Sequence, residues 1–536
     1  MHQFSFDFRD PFFDLGGWNV GLQVVTFENT YGLDPESTRL SDDAGRRTVE
    51  SKGLTSAGGQ RKHTGRAWIT ASPNADGLEL VAGTDGREKV RCVKLVLRGL
   101  PAGTLFGRRW ESGPVSPAGT VLRYPFDPNA PFGLHTPLVF LSEPSGGYIY
   151  FRSLDQRVRC KRFAFYPADE GVTVELIHEE AAHEMGNSAV TPTWRVGRCA
   201  DPEAVVEEHL ALLEGATGLQ SWDSRRDVPA WAREIALVVS IHGMHWTGYV
   251  FNTYKDILGT LEWVCERIDG RRVLAFLPGW EGRYYWQYGD YRPEPRLGGP
   301  DGFRMLTEGA RRLGVALMPM FGANCANSGL PGFGRWGEPC RLRSAAGLVF
   351  HGNKPDWDTS RANDPGWQAW LNPGAPAWRQ RLLGQVSELV AEYDLPAVFF
   401  DTQHFWENDP NYPVYEGLVA LRDGLKESFP DLLVAGEGWY DALGAVTPVS
   451  QVGATAQWRQ IFSRYCRTFG HLMWGDPSRG STGVHEAGTT GSGLVPDEQH
   501  WWPTVTIVDG TLEHAAGDVE QVIEQARRYC QRYLAG

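Results

Sequence analysis

Asp401 and Glu437 are the residues of this chain best placed to do chemistry. Each ends an apolar run: Ala397-Val-Phe-Phe-Asp401 in one case and Leu432-Leu-Val-Ala-Gly-Glu437 in the other. A stretch with helical periodicity lies between them. That is the pattern of two successive parallel strands with one acid at each C-terminal tip, and in a β/α barrel such tips converge on one face. Two carboxyls held there suit hydrolysis of a glycosidic bond. One protonates the leaving oxygen; the other attacks C1 or activates water. Adjacent tips predict the short separation of a retaining enzyme, roughly 5 Å. Asp401, the shorter acid, is expected to be the nucleophile. Glu437 has the longer reach and stands beside Trp439, which predicts a raised pKa and the acid/base role.

Around this pair lie candidate sugar contacts. His404 and Trp406 follow Asp401, with Glu407 next to them, and Trp439 follows Glu437. The segment from Pro278 to Tyr291 supplies Trp280, Tyr285, Trp286, Asp290 and Tyr291, enough aromatic surface to wall a cleft that stacks on sugar rings. His242, with His245 and Trp246, ends another run, and Asn324 and Asn327 end a third. Asp476 and Asp509 are further acids at strand ends. His242 and His245 are spaced i, i+3, whereas one face of a strand recurs at i, i+2, so no metal site is predicted. There is no phosphate-binding glycine motif, and no cofactor is expected.

These residues need a scaffold that brings many strand ends together. From about residue 229 the chain alternates apolar runs with helical periodicity, which predicts a parallel sheet. Strands are expected over 235–241, 273–277, 315–320, 397–400, 432–435, 449–452, 469–474 and 504–508. Helices are expected over 255–268, 302–313, 377–392, 415–429 and 519–533. Eight strands is the number of a (β/α)8 TIM-type barrel. The long connection 321–373 is expected to form a lid or binding surface. Residues before about 225 read instead as many short strands punctuated by Gly, Pro, Asn and Asp, the pattern of a β-sandwich, closed by a helix beginning at Pro202. The expected fold is therefore α/β, with a β-sandwich and linker helix over 1–225 and a catalytic barrel over 226–536.

The bulk properties agree with an enzyme acting on a neutral substrate. The chain has 536 residues, a formal net charge of −13 and 21 Trp. The negative charge argues against a nucleic-acid partner. No apolar run reaches the length of a membrane span. The eight Cys are scattered without a CxxC pair, as for free thiols in a reducing compartment. With no basic and apolar leader at the N-terminus, a cytoplasmic location is expected. The expected partner is a carbohydrate, and the oligomeric state is not legible.

Phe399-Phe400-Asp401 and Gly436-Glu437-Gly438-Trp439, on a sandwich followed by a barrel, resemble the retaining α-glycosidases. Within them the placement resembles the α-amylase superfamily and the endo-α-N-acetylgalactosaminidases, and related bacterial glycosidase-like proteins. In those families the nucleophile ends the fourth strand and the acid/base Glu the fifth. The α-galactosidase and α-glucosidase clan shares the layout but carries its acid/base further along. The resemblance implies cleavage of an α-linked bond with Asp401 as nucleophile and Glu437 as acid/base. Phe399 stands where amylases carry Arg, and Asn324-Cys-Ala-Asn327 replaces their third-strand signature. Two other readings stay open: a non-catalytic glycan-binding protein on a hydrolase scaffold, and a metal-dependent barrel enzyme acting on sugars.

Overall fold

The structure is a computed structural model. It describes residues 11–108, 111–125, 134–169, 171–245, 247–283, 285–350, 368–438, 440–451, 463–470, 480–481, 484–487 and 494–534. Strands up to Trp194–Cys199 form two antiparallel sheets of nine and ten strands. Arg66–Pro73 shows how the sequence builds them: its residues alternate between core and surface, so one face of the strand is buried and the other wet. Phe163 and Trp194 meet edge to face, as do Phe151 and Phe165, between the inner faces.

A helix over Pro202–Thr217 leaves these sheets. Asp201 caps its first turn, Pro202 opens it, and Gly218 closes it at φ 69°, a left-handed conformation suited to glycine. The helix runs four residues past Leu213, the last residue of the apolar pattern.

The remainder carries a parallel sheet, whose strands we number within that sheet. They are β1 Leu237–Ile241, β2 Val273–Leu277, β3 Ala316–Gly322, β4 Ala397–Asp401 and β5 Leu433–Glu437, followed by β6 Val449–Gln451, β7 Arg467–Phe469, β8 Trp501–Trp502 and β9 Thr504–Ile507. The order runs β8-β7-β6-β5-β4-β3-β2-β1-β9. Its two ends are consecutive pieces of chain separated by Pro503, so the sheet curls into a nearly closed barrel. Proline has no amide hydrogen to give to a ladder, which accounts for the break. The seventh strand lies earlier than the expected 469–474. The runs β1 to β4 are buried at every position, as strands covered on both faces must be. Helices Tyr254–Cys265, Gly299–Leu313, Pro376–Tyr393 and Val414–Ser428 cover the outside, within three residues of their expected bounds. The last helix ends at Tyr529 and passes into a π-helical turn over Cys530–Leu534.

Within the long connection 321–373, Cys325–Asn327 and Gln368–Trp370 pair as a short antiparallel ribbon. Trp370 packs on Phe405, ring centres 4.0 Å apart, so this ribbon lies against the loop that follows Asp401.

Candidate functional site

Parallel strands put all their C-terminal ends on one side. In the β4–β5 ladder Phe400 stands opposite Gly436, which makes Asp401 and Glu437 the next neighbours. The carboxyls meet: a hydrogen bond links the two side chains. Asp401 is buried, and its Oδ2 accepts the hydroxyl of Tyr288 at 2.6 Å. Glu437 is less buried, and its Oε2 accepts the Thr402 amide at 2.9 Å.

Burial is the largest cause raising the pKa of either acid. For Asp401 the nearby Glu437 charge adds to it, while Tyr288 works the other way. Two like charges about 4 Å apart cost roughly 4 kcal/mol at an effective dielectric of 20. One hydrogen bond to a charged group returns roughly 1.5–3 kcal/mol. Repulsion therefore wins, and the pair retains one proton and titrates as a unit. Asp401 is pushed well above the usual carboxylate range by burial and by the Glu437 charge, and burial raises Glu437 as well. The sequence expectation named a raised pKa for Glu437; Glu437 is raised, and Asp401 rises with it.

The chain around the pair is shaped to fit. Thr402 adopts φ +65°, a conformation that a β-branched residue takes only when its surroundings impose it. The two glycines flanking Glu437 now have a physical reason. A Cβ on Gly436 would come within 2.1 Å of the Gln403 side chain, and one on Gly438 within 2.2 Å of the His404 ring. The strand of one acid is thus stripped of side chains to admit the loop of the other. Gly322, at the tip of β3, likewise leaves room for Tyr288, 2.2 Å from where its Cβ would be.

His404 is buried, and its Nδ1 donates to the Glu437 carbonyl at 3.1 Å, which fixes the proton on that nitrogen. Nδ1 also lies 3.7 Å from the Glu437 carboxyl. Asn324 is fully buried and donates to the Phe405 carbonyl at 2.8 Å, holding the post-β4 loop. Trp406 is buried, with its carbonyl facing Arg123 of the sandwich.

Four expected contacts stand elsewhere or differently. Trp280 has no exposed surface; it stacks on Phe303 and donates to the Met320 carbonyl at 3.0 Å. It is a core residue rather than a cleft wall, because the chain turns inward between β2 and its helix. Tyr291 is also buried, its hydroxyl accepting the Gly322 amide at 2.8 Å. His242 is buried at the end of β1, its carbonyl accepting from Asn252 at 2.7 Å. Asp290 pairs with Arg292 at 3.0 Å. By contrast Trp286 is 37% exposed, under the Arg283 guanidinium, and Asp509 accepts the hydroxyl of the exposed Tyr249 at 2.6 Å. Trp439, Asp476 and Trp246 lie outside the described residues.

Two residues near the pair escaped the sequence reading. Tyr288 sat unmarked within the aromatic segment, since nothing in its spacing distinguishes it from its neighbours. Glu281 is 1% exposed, and among the described residues no other residue hydrogen-bonds either of its oxygens. Burial, and then the Asp401 charge, push its pKa well above the carboxylate range. Holding a proton on such a group at pH 7 costs roughly 4 kcal/mol relative to its free ionised form. Leaving a bare buried charge costs at least as much, so this environment favours the neutral acid.

No group of three or more His, Cys, Asp or Glu among the described residues is arranged to hold a metal ion. No helix among the described residues is long and apolar enough to cross a membrane. A cavity of ≈690 Å³ lies at the opposite end of the barrel, lined by Arg271, Ala316, Asp394, Phe429 and Leu432. That end is where strands begin, so the cavity is remote from the paired acids, and barrel chemistry does not belong there.

Comparison with known proteins follows the architecture. No protein-family model and no curated protein sequence matches the chain. Solved structures do. An α-N-acetylgalactosaminidase, NagBb, from Bifidobacterium bifidum in complex with GalNAc superposes with a TM-score of 0.66 at 13% identity, covering 96% of this chain and 89% of its own. Its ligand-free form gives 0.65 at 13%, covering 97% and 93%. The GH36 α-galactosidase AgaA from Geobacillus stearothermophilus gives 0.54 at 11%, covering 97% and 78%. At such identities the likeness concerns the fold: this chain shares the architecture of these two α-glycosidases over nearly its whole length.

Proposed function

We propose that the protein is a glycosidase that cleaves an α-linked glycosidic bond by a retaining mechanism. The observation that carries this reading is the contact between Asp401 and Glu437 at adjacent strand tips. Contact falls on the side of the short carboxyl separation used by retaining enzymes, against roughly 6.5–9.5 Å for inverting ones. The shared proton is also the one the reaction needs. With that proton on Glu437, the carboxyl protonates the leaving oxygen while Asp401 attacks C1 and forms a glycosyl-enzyme. Glu437, now ionised, takes a proton from water, which attacks C1 and releases Asp401 with the configuration retained. The Tyr288 hydroxyl stabilises the ionised Asp401 that this cycle requires.

The fold-sharing proteins are named for galactosides and N-acetylgalactosaminides, so an α-linked galactose-type sugar is the first substrate to try. We read the placement of the acids on β4 and β5 as the amylase-type arrangement, and β8 and β9 as one eighth strand of a (β/α)8 barrel interrupted at Pro503. Residues 1–225 and 226–536 are then the two domains. Trp286 and Asp509, which reach the surface, are better candidates for sugar contact than Trp280 or His242.

The test is turnover of aryl α-galactosides and α-N-acetylgalactosaminides, with the first-formed anomer followed by NMR. Asp401→Asn is expected to lower kcat by at least about 10³-fold, and Glu437→Gln by about 10²–10⁴-fold, with the fold intact. Near-normal turnover by either variant defeats the assignment, and a first product of inverted configuration defeats the retaining mechanism.

A further inference from the structure

The loops that follow the two acids are both held by the sandwich, through adjacent residues of one strand, Thr120–Tyr124. Arg123 approaches the loop after Asp401. Its Nη2 donates to Glu407 at 3.3 Å and to the Trp406 carbonyl at 3.5 Å. A second tie lies close by: Asn408 accepts the Ala182 amide at 2.8 Å and donates to the Glu180 carbonyl at 2.9 Å. Tyr124 approaches the loop after Glu437. Its hydroxyl donates to Asp441 Oδ1 at 2.7 Å, while Thr136 donates to Oδ2 at 2.6 Å. Asp441 stands four residues past Glu437 and is 2% exposed, and the His135 carbonyl accepts its amide at 2.8 Å. The Tyr124 ring meets Tyr440 edge to face. The Asp441 bonds are buried on both sides and the Arg123 contacts partly buried, so a shift of either loop breaks polar pairings away from bulk water.

We propose that Arg123 and Tyr124 are positioning residues of the active site: each ties down the loop of one carboxyl, and together they set the distance between Asp401 and Glu437. The sandwich is on this account part of the catalytic apparatus, although neither residue touches the reacting atoms. The proposal rests on the glycosidase reading of the two acids. It also predicts an electrostatic signature. The groups facing Asp401 are Glu437 on β5, Tyr288 and Glu281 from the loop after β2, Cys325 from the connection after β3, and His404 on its own loop. Of these Glu437 is the charged neighbour that raises the Asp401 proton affinity most. A loosened loop lets the carboxyls part, and Asp401 then ionises at lower pH.

The experiment compares Arg123→Gln and Tyr124→Phe with the wild-type chain. Hydrogen–deuterium exchange is expected to quicken over residues 402–411 in the first variant and over residues 438–446 in the second, with the rest of the barrel unchanged. On the best aryl glycoside kcat is expected to fall about tenfold or more with KM within about threefold, the consequence of a small misplacement of reacting groups. The acid limb of kcat/KM moves to lower pH, while Tm changes by only a few degrees. Unchanged exchange in those segments overturns the proposal, as does wild-type kcat in loosened loops, or activity lost only in step with the folded fraction. If the wild-type chain turns over no glycoside, the exchange result still decides the anchoring, and the functional reading falls alone.

Discussion

At the scale of single residues the site is a problem in proton counting. Asp401, Glu437 and Glu281 are three carboxyls in one low-dielectric region, and among the described residues His404, with one nitrogen committed to a carbonyl, is the cationic neighbour that favours an ionised Asp401. Tyr288, ahead of His404, favours an ionised Asp401, through its hydroxyl at 2.6 Å. Tyr288→Phe removes that bond, so Asp401 holds its proton to higher pH. The acid limb of kcat/KM is expected to move upward, with kcat falling about 10- to 100-fold, the size of one lost hydrogen bond to a charged group. An unmoved limb in the pH–rate profile shows that Tyr288 does not govern Asp401. Glu281 makes a stability prediction of defined sign. Its pKa is raised in the folded state, so folding takes up a proton, and stability falls as pH rises above the unfolded value of about 4.3. Glu281→Gln removes that penalty. It is expected to raise stability at pH 7 by about 1–3 kcal/mol, and by nothing at pH values below about 4. Urea unfolding of both chains at the two pH values measures this; a variant equally stable at pH 7 shows that Glu281 is ionised.

At the scale of elements the glycines decide how strands and loops share space. Gly438 adopts φ +68°, and its missing Cβ is where the His404 ring passes. Gly438→Ala therefore combines backbone strain with a collision. The bulkier chain has to displace His404, which bonds the Glu437 carbonyl, and activity is expected to drop at least about 100-fold while stability falls by about 1–3 kcal/mol. Kinetics and a melting curve on the same sample test this. Full activity in the alanine variant shows that the loop after β4 tolerates movement. The same logic explains why the loop after β2 contributes Tyr288 rather than Trp280. Gly322 opens a path for Tyr288 toward Asp401, whereas Trp280 is held beneath by Phe303 and the Met320 carbonyl.

At the scale of the whole molecule one apolar core runs from the sandwich through the linker helix into the barrel, with Val206, Leu210 and Leu213 of the helix among its members. Buried polar groups cross the same boundary: His209 on the helix lies 2.7 Å from the Thr136 hydroxyl and 3.3 Å from Asp441. Separate cores unfold separately, but a shared core does not. Tryptophan fluorescence, far-ultraviolet circular dichroism and activity are expected to be lost together along one denaturant curve. Two resolved transitions, with activity following only one, show that the halves are independent.

The sequence by itself determined the two architectural halves, most barrel strands to within two residues, and the two acids at adjacent tips. These follow from local rules: side-chain periodicity sets strand and helix, and a run of apolar residues ending in a carboxylate marks a tip. It could not assign depth. Trp280, Trp286 and Tyr288 come from one aromatic segment, yet one is core, one is exposed and one bonds Asp401, because the path of the loop and the space left by Gly322 decide between them. Nor did it find Glu281, whose burial depends on residues far away in the chain. It expected a raised proton affinity at Glu437 but not at Asp401, because proton affinity is set by burial and by the distance between charges. The anchoring of both acid loops by Arg123 and Tyr124 spans about 280 and 320 residues of sequence. Only the tertiary structure, which brings such distant groups within hydrogen-bond reach, decides contacts of that kind.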